Sequence, residues 1–333
     1  MDFPLVRRLS PSANWRPTLC VVIDTEEEFD WSAPFDAGAT TTRNIECQHL
    51  GQAIFDRHGV VPTYVIDYPV AASAEARAVL QPFLAAGRCE IGAHLHPWVN
   101  PPDDTPVDDY HSYPGNLPAH SERQKLSNLA QCIEEGFGHR PTIYKAGRYG
   151  VGPATLDILA DLGFRIDVSV VPHTDFRARL GPDFRGFPDV PFETAKGIMA
   201  LPLSVGFVGA LADRGPAIYP ILSGKSGLRL HLPGIVSRLK LLERLRLSPE
   251  GHSLDDLIRQ TRSAIARGQR FFMLTFHSSS LLPGATSYVR SQADRDAFLA
   301  TLDRFISVFQ EEYDGRFAAV SEAARMLANK DHS

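Results

Sequence analysis

Residues 18–29 read TLCVVIDTEEEF, an apolar run that stops on a carboxylate and continues into more acid. Polar and apolar residues do not alternate along its first half, which suits a strand buried on both faces. Its meaning comes from recurrence. VPTYVID (61–67), CEIGAHLH (89–96), PTIYKAG (141–147), RIDVSVV (165–171), IMALPLS (198–204) and RFFMLTFH (270–277) have the same form. Between them lie amphipathic stretches: IECQHLGQAIFDRHG (45–59), AEARAVLQPFLAAG (74–87), RQKLSNLAQCIEEGFG (123–138), PATLDILADLG (153–163) and DDLIRQTRSAIARG (255–268). Several end in Gly, as a helix C-cap should, and Pro153 stands at a favoured first-turn position. The alternation predicts an α/β fold, and about seven strands predict a closed or nearly closed barrel.

The chain has 333 residues, 44% hydrophobic and 22% charged, enough for a large core. We find no repeat and no linker, so the expectation is one barrel domain over residues 1–333. An insertion at about 206–252 is too long for an ordinary connection and should carry helices of its own. It would pack on the barrel wall, or its basic residues Arg238, Lys240, Arg244 and Arg246 would form a lid over an anionic substrate. Thirty-four Lys and Arg against 39 Asp and Glu leave a formal charge of −5, which gives no support to nucleic-acid or anionic-membrane binding. No apolar run approaches a membrane span, and residues 1–17 lack the apolar segment of a secretory signal. Cys20, Cys47, Cys89 and Cys132 form no CxxC and read as free thiols of a reducing compartment, so a cytoplasmic location is expected.

Parallel α/β folds place their chemistry at the carboxyl ends of the strands. Here those ends carry Asp24 and Glu26, Asp67, His94 and His96, Lys145 with Arg148, Asp167, Ser204 and His277. A charged or imidazole group at nearly every mouth points to an enzyme. In extended backbone, residues two apart face one side, so Asp24 and Glu26 can both enter the mouth, while Glu27 and Glu28 read as the start of a solvated loop. The same spacing puts His94 and His96 on one face. HxH alone also describes two packed histidines; with Glu26 it becomes a two-histidine, one-carboxylate set suited to zinc, cobalt, iron or nickel. Trp98 reads either as packing or as an apolar wall for a sugar ring or acyl methyl. His277 reads either as a buried histidine satisfied by a hydroxyl or as a general acid.

The motifs in order, IDTEEEF, EIGAHLHPW, YKAGRYG, GFRIDVSVVP and LTFHSSSLLPG, resemble those of the polysaccharide deacetylase superfamily, also called the NodB-homology or carbohydrate esterase family 4 group. HLHPW with HSSSLLPG is similar to its WalW-like subgroup. The resemblance runs from about residue 18 to about residue 310. It implies a distorted (β/α)7 barrel of the glycoside hydrolase/deacetylase type and metal-dependent removal of acetyl groups from an amino sugar or glycan precursor. By position it implies Asp24 as the base that activates water, and Glu26 with His94 as ligands of a divalent ion, most often zinc. It implies His277 as the acid for the leaving group and Asp167 as the residue that orients the cation of the third motif. Tyr149, the aromatic of that motif, would join Trp98 in binding substrate. The sequence departs from the pattern at three points. The second histidine stands two residues after the first, as His96, with Trp98 in the usual place. Glu26 replaces an Asp. Lys145 aligns with the usual Arg, leaving open whether Lys145 or Arg148 takes that role. Hydrolysis of a non-sugar C–N bond and an inactive sugar-binding barrel stand as alternatives. The oligomeric state is not legible.

Overall fold

A computed structural model describes residues 5–9, 11 and 14–329. Each of the seven apolar runs supplies one strand: β1 (Thr18–Thr25), β2 (Thr63–Ile66), β3 (Glu90–Leu95), β4 (Ile143–Ala146), β5 (Ile166–Asp167), β6 (Met199–Ala200) and β7 (Phe271–His277). They lie in the order β6-β5-β4-β3-β2-β1-β7, each parallel to its neighbour. Every residue of β1 is buried, as the unbroken apolar run requires of a strand covered on both faces. The sheet curls so far that Lys145 on β4 hydrogen-bonds Asp24 on β1 across two intervening strands. This is the nearly closed barrel that the alternation of runs and helices predicts, distorted as the family resemblance implies.

Two strands are shorter than their runs. Val168, Ser169, Val170 and Val171 stay buried but leave the ladder after Asp167, and Pro202, which lacks an amide hydrogen, interrupts the run after Ala200. An apolar run therefore reported burial more faithfully than strand length. Between β6 and β7 there is no continuous ladder. The β7 amides that face this seam are met singly: Met273 N donates to Ser204 Oγ (2.9 Å), Thr275 N to the Leu247 carbonyl (3.2 Å) and His277 N to Glu250 Oε1 (2.9 Å). Each is an edge amide that would otherwise be buried unpaired.

Residues 205–246 form an antiparallel hairpin, Val205–Val208 against Glu243–Arg246, with helices Gly215–Leu222, Lys225–Arg229 and Leu232–Arg238 at its tip. Ala212, Asp213 and Pro216 share a small cavity with residues 267–271, at the start of β7 and away from the mouth. The tip is therefore no lid. Of the basic residues considered for that role, Arg246 alone lines the large cavity at the mouth, whereas Arg244 turns to Thr174 and Arg238 and Lys240 face outward.

The helix Ala119–Phe137 buries Glu122 against Thr155, whose hydroxyl donates to it at 2.5 Å. Burial raises this carboxyl from 4.5 to about 7, and the Thr155 bond only partly opposes the rise. Its folded pKa exceeds the unfolded value, so the group's contribution is fully present below the unfolded pKa and is lost as pH rises through about 7. Glu122→Gln should therefore raise the urea midpoint at about pH 8, by up to ~3 kcal/mol of stability, with little gain near pH 4.5. Paired denaturation curves at the two pH values check this.

Candidate active site

The carboxyl ends of β1, β3, β4 and β7 open into a cavity of about 1480 Å³ lined by Asp24, Glu26, His94, His96, Arg148, Tyr149, Arg246 and His277. Glu26 Oε2 lies 3.4 Å from His94 Nε2 and 3.4 Å from His96 Nε2, and all three residues are buried. The other ring nitrogens are committed. His94 Nδ1 is 3.0 Å from the Lys145 carbonyl oxygen, which can only accept. A proton on Nδ1 satisfies that contact, and Nε2 is the ring nitrogen turned toward Glu26. His96 Nδ1 is 2.8 Å from Glu27 Oε2, and burial lowers the His96 pKa against the pull of Glu26 and Asp67, so a neutral ring again presents Nε2. Bonds of about 2.0–2.1 Å at a tetrahedral angle place ligand atoms about 3.3–3.4 Å apart. The donor types, ring orientations and spacing fit a divalent ion. Glu27, Asp67 and His96 form a second close group, but hydrogen bonds already tie its members, so it orients His96 and offers no open donors.

Glu27 is not the solvated residue its position suggested. It is 1% exposed; its amide donates to Asp67 Oδ2 (2.7 Å) while its carboxylate holds His96. Burial and then the proximity of Glu27 push Asp67 well above the carboxylate range, and burial holds Glu27 at about 7. Glu28 pairs with Arg43 at 2.7 Å.

Of the two third-motif cations, Lys145 is the one that faces Asp24. Its Nζ donates to Asp24 Oδ1 (2.5 Å) and Thr275 Oγ1 (3.1 Å). Arg148 and Tyr149 both adopt left-handed backbone, with φ of 55° and 60°, rare for non-glycine residues. That turn sends Arg148 away to Ser112, over the Tyr113 ring at 4.2 Å, so it does not replace the usual arginine beside Asp24. Tyr149 lines the cavity and accepts from Arg246 at 3.1 Å. Asp167 does not orient either cation by a hydrogen bond. It accepts from Ser169 Oγ (2.5 Å), and burial raises it to about 7, so it belongs to the barrel interior behind the mouth. Trp98 is also displaced from its expected place: at 3% exposure it stacks behind His96, ring centroids 4.3 Å apart, among Phe29, Trp31 and Phe35. Phe29, Trp31 and Tyr149 present the apolar wall instead.

Glu250 is the residue that sequence reasoning missed. It is buried, and its carboxylate accepts from the His277 amide (2.9 Å) and from Ser280 Oγ (2.6 Å) while holding His277 Nδ1 at 2.9 Å. Burial alone would lower the His277 pKa, but Glu250, Glu26 and Asp24 raise it well above its ordinary value. His277 Nε2 then faces Asp24 Oδ2 at 3.6 Å. The only local signal for Glu250 was the strand-like alternation of ERLRL (243–247) just before it. The serines after His277 divide their work, Ser278 Oγ accepting from the Glu26 amide (3.1 Å) and Ser280 holding Glu250.

No protein-family model matches the chain, and no curated protein sequence matches it. Solved structures do. One assigned to polysaccharide deacetylases, from Mycobacterium smegmatis, superposes with a TM-score of 0.56 at 18% identity, covering 100% of this chain and 97% of that one. Another so assigned, from Pseudomonas aeruginosa PAO1, gives 0.54 at 16% identity, covering 98% and 95%. Puue allantoinase gives 0.56 at 16% identity over the same shares, 98% and 95%. The chain therefore shares the distorted α/β barrel fold of these solved structures.

Gly147 follows β4 directly under His96. A Cβ there would fall within contact of the Leu95 carbonyl oxygen and 2.6 Å from His96 Cδ2. Gly147→Ala should push the imidazole aside and weaken binding of an added divalent ion by about 10–100-fold, the usual effect of disturbing a ligand's support. Titration against a competing chelator measures it.

Proposed function

We propose that this chain is a metal-dependent hydrolase that removes an acetyl or other acyl group from the nitrogen of an amino sugar or glycan precursor. The observation that carries the reading is the confrontation of two charge-paired groups, Lys145–Asp24 and Glu250–His277, beside the Glu26, His94 and His96 donor set. Zinc is the ion of choice for that set, with cobalt, nickel or iron as substitutes. When bound, it supplies Lewis acidity to a water and to the acyl carbonyl.

The chain's own groups divide the proton work. Burial favours a neutral Asp24, but Lys145, His94 and His277 outweigh it and hold the carboxyl at about 2, so it is ionised. Lys145 occupies Oδ1, leaving Oδ2 to take a proton from the attacking water. His277 enters protonated, with Nδ1 held by Glu250 and Nε2 toward the cavity. It donates to the nitrogen as the C–N bond breaks, so water adds OH to the acyl carbon and hydrogen to the amine. Aromatic faces of Phe29, Trp31 and Tyr149 suit the apolar side of a sugar ring.

A second reading, hydrolysis of a non-sugar C–N bond, is favoured by one finding: Puue allantoinase matches the fold with the same TM-score, 0.56, as the first deacetylase structure. Release of acetate from acetylated amino-sugar nucleotides and oligosaccharides, against release of amine from cyclic amides, separates the two. A metal-loaded protein inert toward both classes would indicate an inactive sugar-binding barrel. We further assign the chain to the WalW-like subgroup on HLHPW and HSSSLLPG, treat 1–333 as one domain with an insertion, and place it in the cytoplasm on its four free cysteines.

Two variants test the roles. Asp24→Asn should retain about one equivalent of zinc and lose about 10²–10⁴ in kcat; activity near wild type would remove Asp24 as the base. Glu250→Gln removes the largest influence that raises the His277 pKa. Its kcat should fall, and the alkaline limb of its pH–rate profile should move to lower pH, because the imidazole loses its proton earlier. An unmoved limb would separate Glu250 from the acid.

A further inference from the structure

Residues 214–242, the outer part of the excursion, depart in charge from the rest of the chain. The whole sequence has a formal charge of −5, yet this stretch holds Arg214, Lys225, Arg229, Arg238 and Lys240 and no Asp or Glu. All five cations are exposed, and none has a carboxylate at ion-pair distance among the described residues. The short helices bury only their inner sides, around a small core of Phe207, Ala212 and Leu242 joined by Ile218, Tyr219, Leu222 and Val236. Their outer sides expose Ile221 (75%), Leu228 (57%), Leu230 (62%), Ile235 (46%) and Leu239 (62%). Five of the twelve large apolar side chains exposed on the described chain thus fall in nineteen consecutive positions, 221–239.

Surface helices of a water-soluble domain turn charged and polar residues outward. Here the outward side is apolar, and its only charges are positive and adjacent to the apolar groups, as in Leu228-Arg229-Leu230 and Arg238-Leu239-Lys240. That combination suits the headgroup layer of a bilayer, where leucines enter the acyl boundary and lysine and arginine reach to the phosphates. We propose that the 221–239 surface docks the protein on anionic lipid membranes. Attachment is peripheral, since no helix among the described residues is long and apolar enough to cross a membrane. A second copy of the chain is a poorer occupant, because a symmetric contact would set the exposed cations Lys225, Arg229 and Arg238 against their own copies. The balanced charge of the whole sequence concealed this local segregation.

Co-sedimentation of the full chain with vesicles tests the proposal. Vesicles of phosphatidylcholine and phosphatidylglycerol at roughly 3:1 should bind it at least about tenfold better than phosphatidylcholine alone, and added salt should weaken binding. Ile221→Ser, Leu230→Ser and Leu239→Ser together should cut binding by at least about tenfold. Arg229→Gln, Arg238→Gln and Lys240→Gln, which change only exposed charges, should remove the preference for anionic vesicles even if the apolar triple variant folds poorly. Circular dichroism monitors folding of both. The proposal is overturned if the wild-type chain stays in the supernatant, binds neutral vesicles equally well, or binds as before after the charge changes. It is also overturned if ultracentrifugation shows a dimer that the serine changes dissociate, which would make the surface a self-association face.

Discussion

The ion pair between Lys145 and Asp24 organises the mouth of the barrel. Neither group has ready access to water: Lys145 is fully buried and Asp24 is 3% exposed. The pair joins strands that are not neighbours, and Thr275 on β7 accepts a second bond from the same ammonium. One cation therefore ties β1, β4 and β7 together at the level where the chemistry would occur. Removing one member of such a pair leaves an uncompensated buried charge, which costs about 3–5 kcal/mol. The contact that keeps Asp24 ionised thus also draws these three strand ends together. Lysine has no planar fork, and it needs none here, because the two acceptors lie on different strands.

The remaining charges form a graded arrangement around this pair. Toward Glu26, His94 and His96, carboxyls are stacked in depth. Glu26 faces the open Nε2 atoms, Glu27 holds His96 from behind, and Asp67 lies behind Glu27 with its pKa raised by burial and by that neighbour. Keeping the rear carboxyl protonated avoids placing three negative charges side by side in a dry interior. Asp67 meanwhile accepts from the Val70 amide and so caps the helix Tyr68–Ala72. Toward His277 the logic is reversed: Glu250 remains ionised because the imidazolium, Arg246 and two hydrogen bonds compensate the burial that would raise its pKa.

The strands, their order of use and most of the mouth residues were legible because burial and strand-end chemistry are written locally. Asp24, Glu26, His94, His96, Lys145 and His277 each end or follow an apolar run, and the parallel ladder brings those ends together. What was hidden depended on distant chain. Arg148 and Lys145 differ by three positions, and only the left-handed turn at 148–149 decides which of them faces Asp24. Glu27 looked like its neighbour Glu28, and its burial is set by Asp67 and His96 from two other loops. Trp98 lost its expected wall because three aromatic residues from 29–35 cover it.

Glu250 is the most distant case, and the open seam of the barrel explains it. Since β6 and β7 share no ladder, the outward amides of Met273, Thr275 and His277 must find acceptors one at a time. Ser204 satisfies the first with a hydroxyl. The chain then leaves on the long hairpin and returns in register, Leu247 N donating to the Ser204 carbonyl, so that Leu247 satisfies the second. The next stretch arrives beside the third, and Glu250 closes it with a carboxylate. The acceptor of a sheet-edge amide is here the same group that charges the His277 ring through Nδ1. A barrel closed by a regular ladder would offer a backbone carbonyl at this point and no negative charge. The defect in the sheet is thus what admits a carboxylate to the His277 side of the mouth, and the long excursion supplies it.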